Sequence, residues 1–384
     1  MNEILITASL CFCALALVAH SVYTSRAATG KLARGGTNDV LDNRFLELNT
    51  GVPYCNRDIV QGCLILGQTG SGKTSGPLFT ILRNAMQSGF GLTLLCAKPS
   101  DRADYLAMAK KTGREKDVIV IDQTAAHRLN FFDSFRMGAA DEVTMARMMS
   151  QALDVFAEIS SRSGAKSGGG DDQFWVNSYK RKAFVVILLL LLADEPVTPA
   201  NILAVVHSLP RSPKDLTLAS WKDKYCSHCL RTAFARCNAD GRKESFRICD
   251  EYITLEICTL ASKTRSIITA FLTGVLDVLS TGIASKVLAS ESTFNLADAI
   301  ARNAIIIVDF PYSAWQQVGQ FIAGGIKHLV EIEILKRSIK PETLPHLIGA
   351  DEAANVLTEY DQTFISMSRQ FRGTLVGRHA LIDG

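Results

Sequence analysis

The sequence predicts an α/β chain: a mostly parallel sheet bearing a phosphate-binding loop, interrupted by an all-α insertion and preceded by one N-terminal transmembrane helix. Three observations predict it. Residues 63–75 read CLILGQTGSGKTS, an apolar strand handing over to a glycine-rich loop and then a helix-compatible run. Short apolar runs recur at 91–97, 117–122 and 303–309, as parallel strands covered on both faces require. Between about 140 and 285 the texture changes to long helical patterns with few strand signals.

The first element carries the chemistry. Gly67, Gln68, Thr69, Gly70, Ser71, Gly72, Lys73, Thr74 and Ser75 make a full P-loop pattern. Gly67, Gly70 and Gly72 permit backbone angles and close approach that a Cβ would forbid. Successive N–H groups then cradle a β-phosphate at the start of the next helix. Lys73 reaches the β/γ-phosphates and the Thr74 hydroxyl suits Mg²⁺. The expected ligands are ATP and Mg²⁺. A glycine-rich turn with a chance lysine is the plainer alternative, and the flanking strand and helix weigh against it.

Composition sets bounds. With 384 residues, 47% hydrophobic and 21% charged, the chain has the make-up of a globular protein of about two domains. A net charge of +3 does not by itself argue for nucleic acid. Residues 211–247 hold nine Lys/Arg against four Asp/Glu, a local excess that fits either a phosphate-contacting surface or a solvated helical face. The ten cysteines form no evident disulfide framework, which points to a reducing compartment. Cys226, Cys229, Cys237 and Cys249 suggest zinc only weakly, because the second half lacks paired spacing. Small buried residues in helices are the preferred account.

In chain order, residues 4–23 are an uncharged, mainly apolar run of transmembrane length. Arg26, Lys31 and Arg34 follow it, so the positive-inside rule puts the body in the cytoplasm. A cleaved signal peptide is the rival account, but a basic n-region is missing. The expected divisions are 1–25 anchor, 26–60 linker and lead-in, 61–139 with 286–384 nucleotide-binding domain, and 140–285 inserted all-α domain. The apolar run at 185–192 is too short to cross a bilayer and reads as a buried core helix.

A nucleotide hydrolase needs an acidic group at the end of a second buried strand. Asp309 and the pair Asp351-Glu352 both qualify by position. Adjacent carboxylates divide the work better, so Asp351 is assigned to Mg²⁺ and Glu352 to the general base. The plain alternative is a solvated helix N-terminus, where acids are favoured anyway. Arg369 and Arg372 follow on a short helix as arginine-finger candidates, for their own or a neighbour's γ-phosphate, with Arg369 preferred.

Taken as an ordered set, LILGQTGSGKTSG, LLCAKPSD, VIVIDQ with LNFFD, DDQFW, IIIVDFP and GADEAANVLTEYDQTFISMSRQFRG resemble the conjugative DNA-transfer ATPases. These are the type IV secretion coupling proteins of the RecA/HerA-FtsK-like P-loop class, and the similarity spans residues 45–373. The resemblance implies a homo-hexamer at the bacterial inner membrane, single-pass, with its body in the cytoplasm. It implies hydrolysis of ATP to move single-stranded DNA, a relaxase–DNA complex or protein toward the channel proteins of the secretion apparatus. By matching motif, Lys73 and Thr74 take the P-loop roles and Asp351 and Glu352 the Walker B roles. The family continues past its last strand with a glutamine-bearing motif, and no glutamine follows Thr374 here. Truncation, a shifted frame or an element on another chain would each account for that. A non-hydrolysing membrane receptor or scaffold that docks cargo, or an inactive copy, is therefore the alternative function.

Overall fold

In the computed structural model, the described residues are 39–47, 53–67, 74–136, 141–162 and 172–380. The expected anchor at 4–23 lies outside them. Among the described residues no single helix is long and apolar enough to cross a membrane.

Among the described residues eight strands form two sheets. A small antiparallel ribbon pairs β1 (Arg44–Glu47) with β2 (Pro53–Cys55). It lies within the stretch read as linker and lead-in over 26–60, where strands of three and four residues are too short to show periodicity. The main sheet contains β3 (Cys63–Gly67), β4 (Gly91–Leu95), β5 (Val118–Ile121), β6 (Ile305–Val308), β7 (His346–Ala350) and β8 (Gly373–Ala380). Every pairing is parallel, in the order β3-β8-β7-β4-β6-β5. The last strand is longer than the sequence suggests and lies inside the sheet. The P-loop strand β3 lies at an edge, with Leu66 52% exposed.

Strands β4, β6 and β7 are buried at every position because helices cover both faces. Alternate residues serve opposite cores. Leu92, Leu94, Ile305, Ile307 and Leu347 pack with α1 (Phe79–Gln87) and α2 (Asp101–Lys111). Leu95, Ile306, Val308, Ile348 and Ala350 face the other way.

That second face belongs to helices. In chain order they are α3 (Glu142–Arg162), α4 (Asp172–Leu192), α5 (Pro199–His207), α6 (Tyr225–Ala239), α7 (Lys243–Glu251), α8 (Ser262–Ser280), α9 (Gly282–Leu288) and α10 (Leu296–Ala301). After β6 comes α11 (Tyr312–Leu335), and between β7 and β8 lies α12 (Tyr360–Ser368). The helical insertion does not stand apart: residues from Val40 onward form one compact unit, and one apolar core runs from α4 through α3 and α11 to the sheet. Helix α3 approaches α11 closely where Phe156 stacks on Phe321 at 5.5 Å. A Cβ on Gly325 would come within 2.8 Å of Phe156 and one on Gly324 within 2.5 Å of Ile159, so a larger residue at either site would force those side chains to shift.

Helix α4 is a core helix, with residues 183–190 buried. It carries an unusual lysine. Lys182 is 1% exposed and donates to Thr269 Oγ1 on α8 at 2.7 Å, with no carboxylate pairing it among the described residues. Burial, then the nearby Arg265 cation, lowers its ammonium to about 8.

At the rim where the strands begin, arginines hold main-chain carbonyls. Arg114 donates to Phe90 O at 2.6 Å and to Asn303 O at 2.5 Å. Arg337 donates to Phe371 O, and Arg372 to Pro341 O at 3.0 Å and Thr343 O at 2.5 Å.

Candidate active site

The opposite rim, where the strands end, carries the acids. Strand β3 ends at Gly67, and a helix begins at Thr74, its first turn (Thr74–Leu78) wound as a π-helix around Pro77. Strand and helix thus stand on either side of residues 68–73. Gln68, Thr69, Gly70, Ser71, Gly72 and Lys73 lie outside the described residues.

Strand β7 delivers Asp351 and Glu352. The register sets Ala350 level with Gly377 and Leu95. Only β8 separates β7 from β3, so two strand spacings, roughly 10 Å, lie between the acids and the P-loop strand. Asp351 is 4% exposed, and its Oδ1 accepts the Glu352 N–H at 3.1 Å. Glu352 takes a left-handed backbone (φ 52°, ψ 49°), a conformation that costs energy in a non-glycine residue and turns the chain sharply off the strand.

Asp351 and Glu352 line a crevice with Cys96, Tyr312, Gln320 and Asn355. Its volume of about 20 Å³ matches the room one water molecule needs. Buried carboxylate, adjacent carboxylate and amide groups around one water-sized space suit a hydrolytic centre. The donor set also fits Mg²⁺, a hard ion that prefers carboxylate oxygens and retains water.

The sequence reading missed a third acid. Asp101 begins α2, one loop beyond β4, and is buried; its Oδ2 accepts the N–H groups of Ala97 and Lys98, both at 2.9 Å. Burial raises its carboxyl, those two N–H bonds oppose the rise, and the Asp351 charge adds to it. Its signal was only Ser-Asp after a strand, and its nearness to Asp351 comes from β4 and β7 being neighbours.

Asp309, the alternative metal residue, is engaged elsewhere. Arg102 Nη1 bridges it at 3.1 Å and Asp122 at 3.0 Å. Burial pushes the Asp122 carboxyl up, but hydrogen bonds from Thr124 and the Arg102 charge outweigh it and hold the group low. Burial and the Asp309 and Asp101 charges push the Cys96 thiol far up, so it is inert as a nucleophile.

The arginines lie on the other rim. Arg372 O accepts the His346 N–H at the start of β7, whereas Asp351 lies past its end. Five residues of strand, roughly 17 Å, separate the two levels. Arg369 lines a separate cavity of about 310 Å³ with Leu41, Arg57 and Met367. Neither arginine reaches this chain's own acids, because the chain returns through α12 to the opposite rim before entering β8.

The cysteines of α6 and α7 are packed inside the core. Cys226, Cys229 and Cys237 on α6 and Cys249 on α7 are buried, and among the described residues no three His, Cys, Asp or Glu side chains converge as a metal requires. Much of the basic excess is neutralised. Arg236 pairs with Asp194 at 3.2 Å, Arg242 with Asp240 at 2.7 Å and with Glu142, and Arg247 with Glu244 at 2.8 Å.

No family model and no curated protein sequence matches the chain. Solved structures do. The plasmid coupling protein TrwB in complex with ADP and Mg²⁺ superposes with TM-score 0.56 at 13% identity, over 88% of this chain and 68% of that one. TrwB with the non-hydrolysable GTP analogue gives 0.55 at 13% identity over 88% and 68%. The unbound bacterial conjugative coupling protein gives 0.52 at 14% identity over 90% and 66%. The chain thus spans about two thirds of the length of those proteins. Over 88–90% of its length, this chain has the fold of a conjugative coupling protein.

Proposed function

We propose that this chain is the ATP-hydrolysing motor of a conjugative type IV secretion apparatus, coupling turnover to transfer of DNA or protein. The observation that carries it is the Asp351-Glu352 pair at the end of β7, the first buried and both on one crevice, one strand removed from the P-loop strand, in a fold shared with a protein seen with ADP and Mg²⁺.

In this scheme Lys73 and the N–H groups of residues 67–75 hold the phosphates. Thr74 and Asp351 hold Mg²⁺, which neutralises charge on the phosphates when bound. Glu352 orients a water and takes its proton. Arg369, on the rim away from its own Asp351, would serve a neighbouring subunit's nucleotide in a homo-hexamer. The single-pass inner-membrane anchor at 4–23, single-stranded DNA or a relaxase–DNA complex as cargo, and channel proteins as partners belong to the same proposal. The test is ATP hydrolysis by the purified protein with and without single-stranded DNA. Hydrolysis that DNA stimulates and Lys73→Ala abolishes is expected; a protein indifferent to both overturns the proposal.

A further inference from the structure

A charged cluster lies deep behind the crevice. Lys327 on α11 is 0% exposed and its Nζ donates to both Asp361 oxygens at 2.6 Å and to Glu331 Oε1 at 3.1 Å. Asp361 in turn accepts the Thr358 N–H at 2.6 Å and its hydroxyl at 3.1 Å. Thr358 ends the segment that begins at Asp351, so a bond from α11 fixes the far end of that segment. Strand β7 fixes the near end.

The same helix stripe reaches the crevice. Ala323 lies one turn before Lys327 and Gln320 almost two turns before it, and both line the crevice with Asp351 and Glu352. Cluster and crevice therefore share one rigid support.

Charge counting identifies the ionised partner. One cation faces two carboxyls in a site closed to water, so one carboxyl is neutral. Burial drives the Glu331 carboxyl well above its usual range, against Lys327. Burial also acts on Asp361, but Lys327 and the hydrogen bonds hold it low. Glu331 Oε2 has no hydrogen-bond partner and lies 4.0 Å from His328 Nδ1, also unpartnered. Burial and Lys327 keep His328 neutral, its ring edge-on to Tyr360 at 4.4 Å.

A buried ion pair is rarely the most stable filling for such a site; apolar residues of similar volume often do as well or better. What it provides is a fixed register. We infer that Lys327 and Asp361 are positioning residues that hold Glu352 against Gln320 across the crevice, a role that rests on the ATP-hydrolysing function proposed above.

The experiment compares Asp361→Asn, Lys327→Met and Glu331→Gln in the full chain, each at a temperature where circular dichroism shows it folded. Asp361→Asn and Lys327→Met should lower kcat about tenfold or more, leaving KM for ATP and affinity for a non-hydrolysable ATP analogue within about twofold. Glu331→Gln, amide for neutral carboxyl, should keep kcat within about twofold. Folded Asp361→Asn at wild-type kcat, a parallel rise in KM, or an equal loss in Glu331→Gln would overturn the inference. If Asp361→Asn does not fold, Thr358→Ala replaces it, with a several-fold loss in kcat expected and none overturning it. Should wild type hydrolyse nothing, that counts against the ATPase function alone. Hydrogen exchange then decides: faster exchange in Thr358→Ala confined to amides 352–358 supports the inference, and uniform or unchanged exchange overturns it.

Discussion

Lys182→Met should stabilise the protein, and the gain should fade as pH rises. The buried ammonium titrates near 8 in the folded chain against 10.5 in the open one, because burial and Arg265 both disfavour its charge. Below 8 the lysine is charged in both states, and the folded state bears the full penalty. Between 8 and 10.5 the unfolded chain binds more protons, so wild-type stability rises with pH through that window. At 1.36 kcal/mol per pH unit, the penalty is about 3 kcal/mol at pH 7 and about 1 kcal/mol at pH 10. Methionine keeps most of the stem's volume and removes the charge. Thr269 Oγ1 is not left without a bond, since it also donates to Arg265 O at 2.7 Å. Allowing about 1 kcal/mol for the lost lysine hydrogen bond, the net gain at pH 7 is about 2 kcal/mol. Urea denaturation of both proteins at pH 7, 8, 9 and 10 measures it. A destabilised variant at pH 7, or a difference that stays flat across the series, would refute the reasoning.

Three further outcomes are expected. Glu352→Gln should retain ATP binding by equilibrium titration while turnover falls by about 10² or more, since the amide accepts no proton. Gly91→Ala should lower thermal stability by about 1–3 kcal/mol, because its Cβ would come within 2.4 Å of buried His346 Nδ1. In the His346→Ala background the same change should cost much less. A metal chelator should leave Tm unchanged, because the buried thiols of α6 and α7 pack against apolar side chains; a drop of several degrees would show a structural metal.

The central strands were legible because they are buried on both faces, which forces uninterrupted apolar runs such as Ile305, Ile306 and Ile307. The ribbon of β1 and β2 was not, since three or four residues give no period. Nor was the place of β8: parallel pairing joins strands far apart in sequence, and nothing local in Thr374 or Val376 tells that they lie between β3 and β7. The same limit governs the site. Asp351 and Glu352 announce themselves by adjacency after an apolar run. Asp101 reads as an ordinary helix start, and only strand order brings it near Asp351. Arg369 shows the converse, since its closeness in sequence to Asp351 concealed a full crossing of the sheet. Lys327 and Asp361 lie 34 residues apart, and each reads alone as a surface charge.

The guanidinium groups of Arg114, Arg337 and Arg372 give the sheet a mechanical polarity. Arg114 clasps the segments entering β4 and β6, Arg337 those entering β7 and β8, and Arg372, itself at the start of β8, the segment entering β7, so the feet of β4, β6, β7 and β8 are cross-braced. Burial and the neighbouring Arg372 lower Arg337 only to about 10, and it stays charged at neutral pH. A carbonyl has no proton to gain in this range, so a clasp of this kind does not loosen when carboxylates titrate. At the other end the strands open into loops, with Glu352 already strained there. Any displacement that nucleotide turnover produces at those loops would meet a base that does not slip, and the strands would act as stiff levers tilting about it.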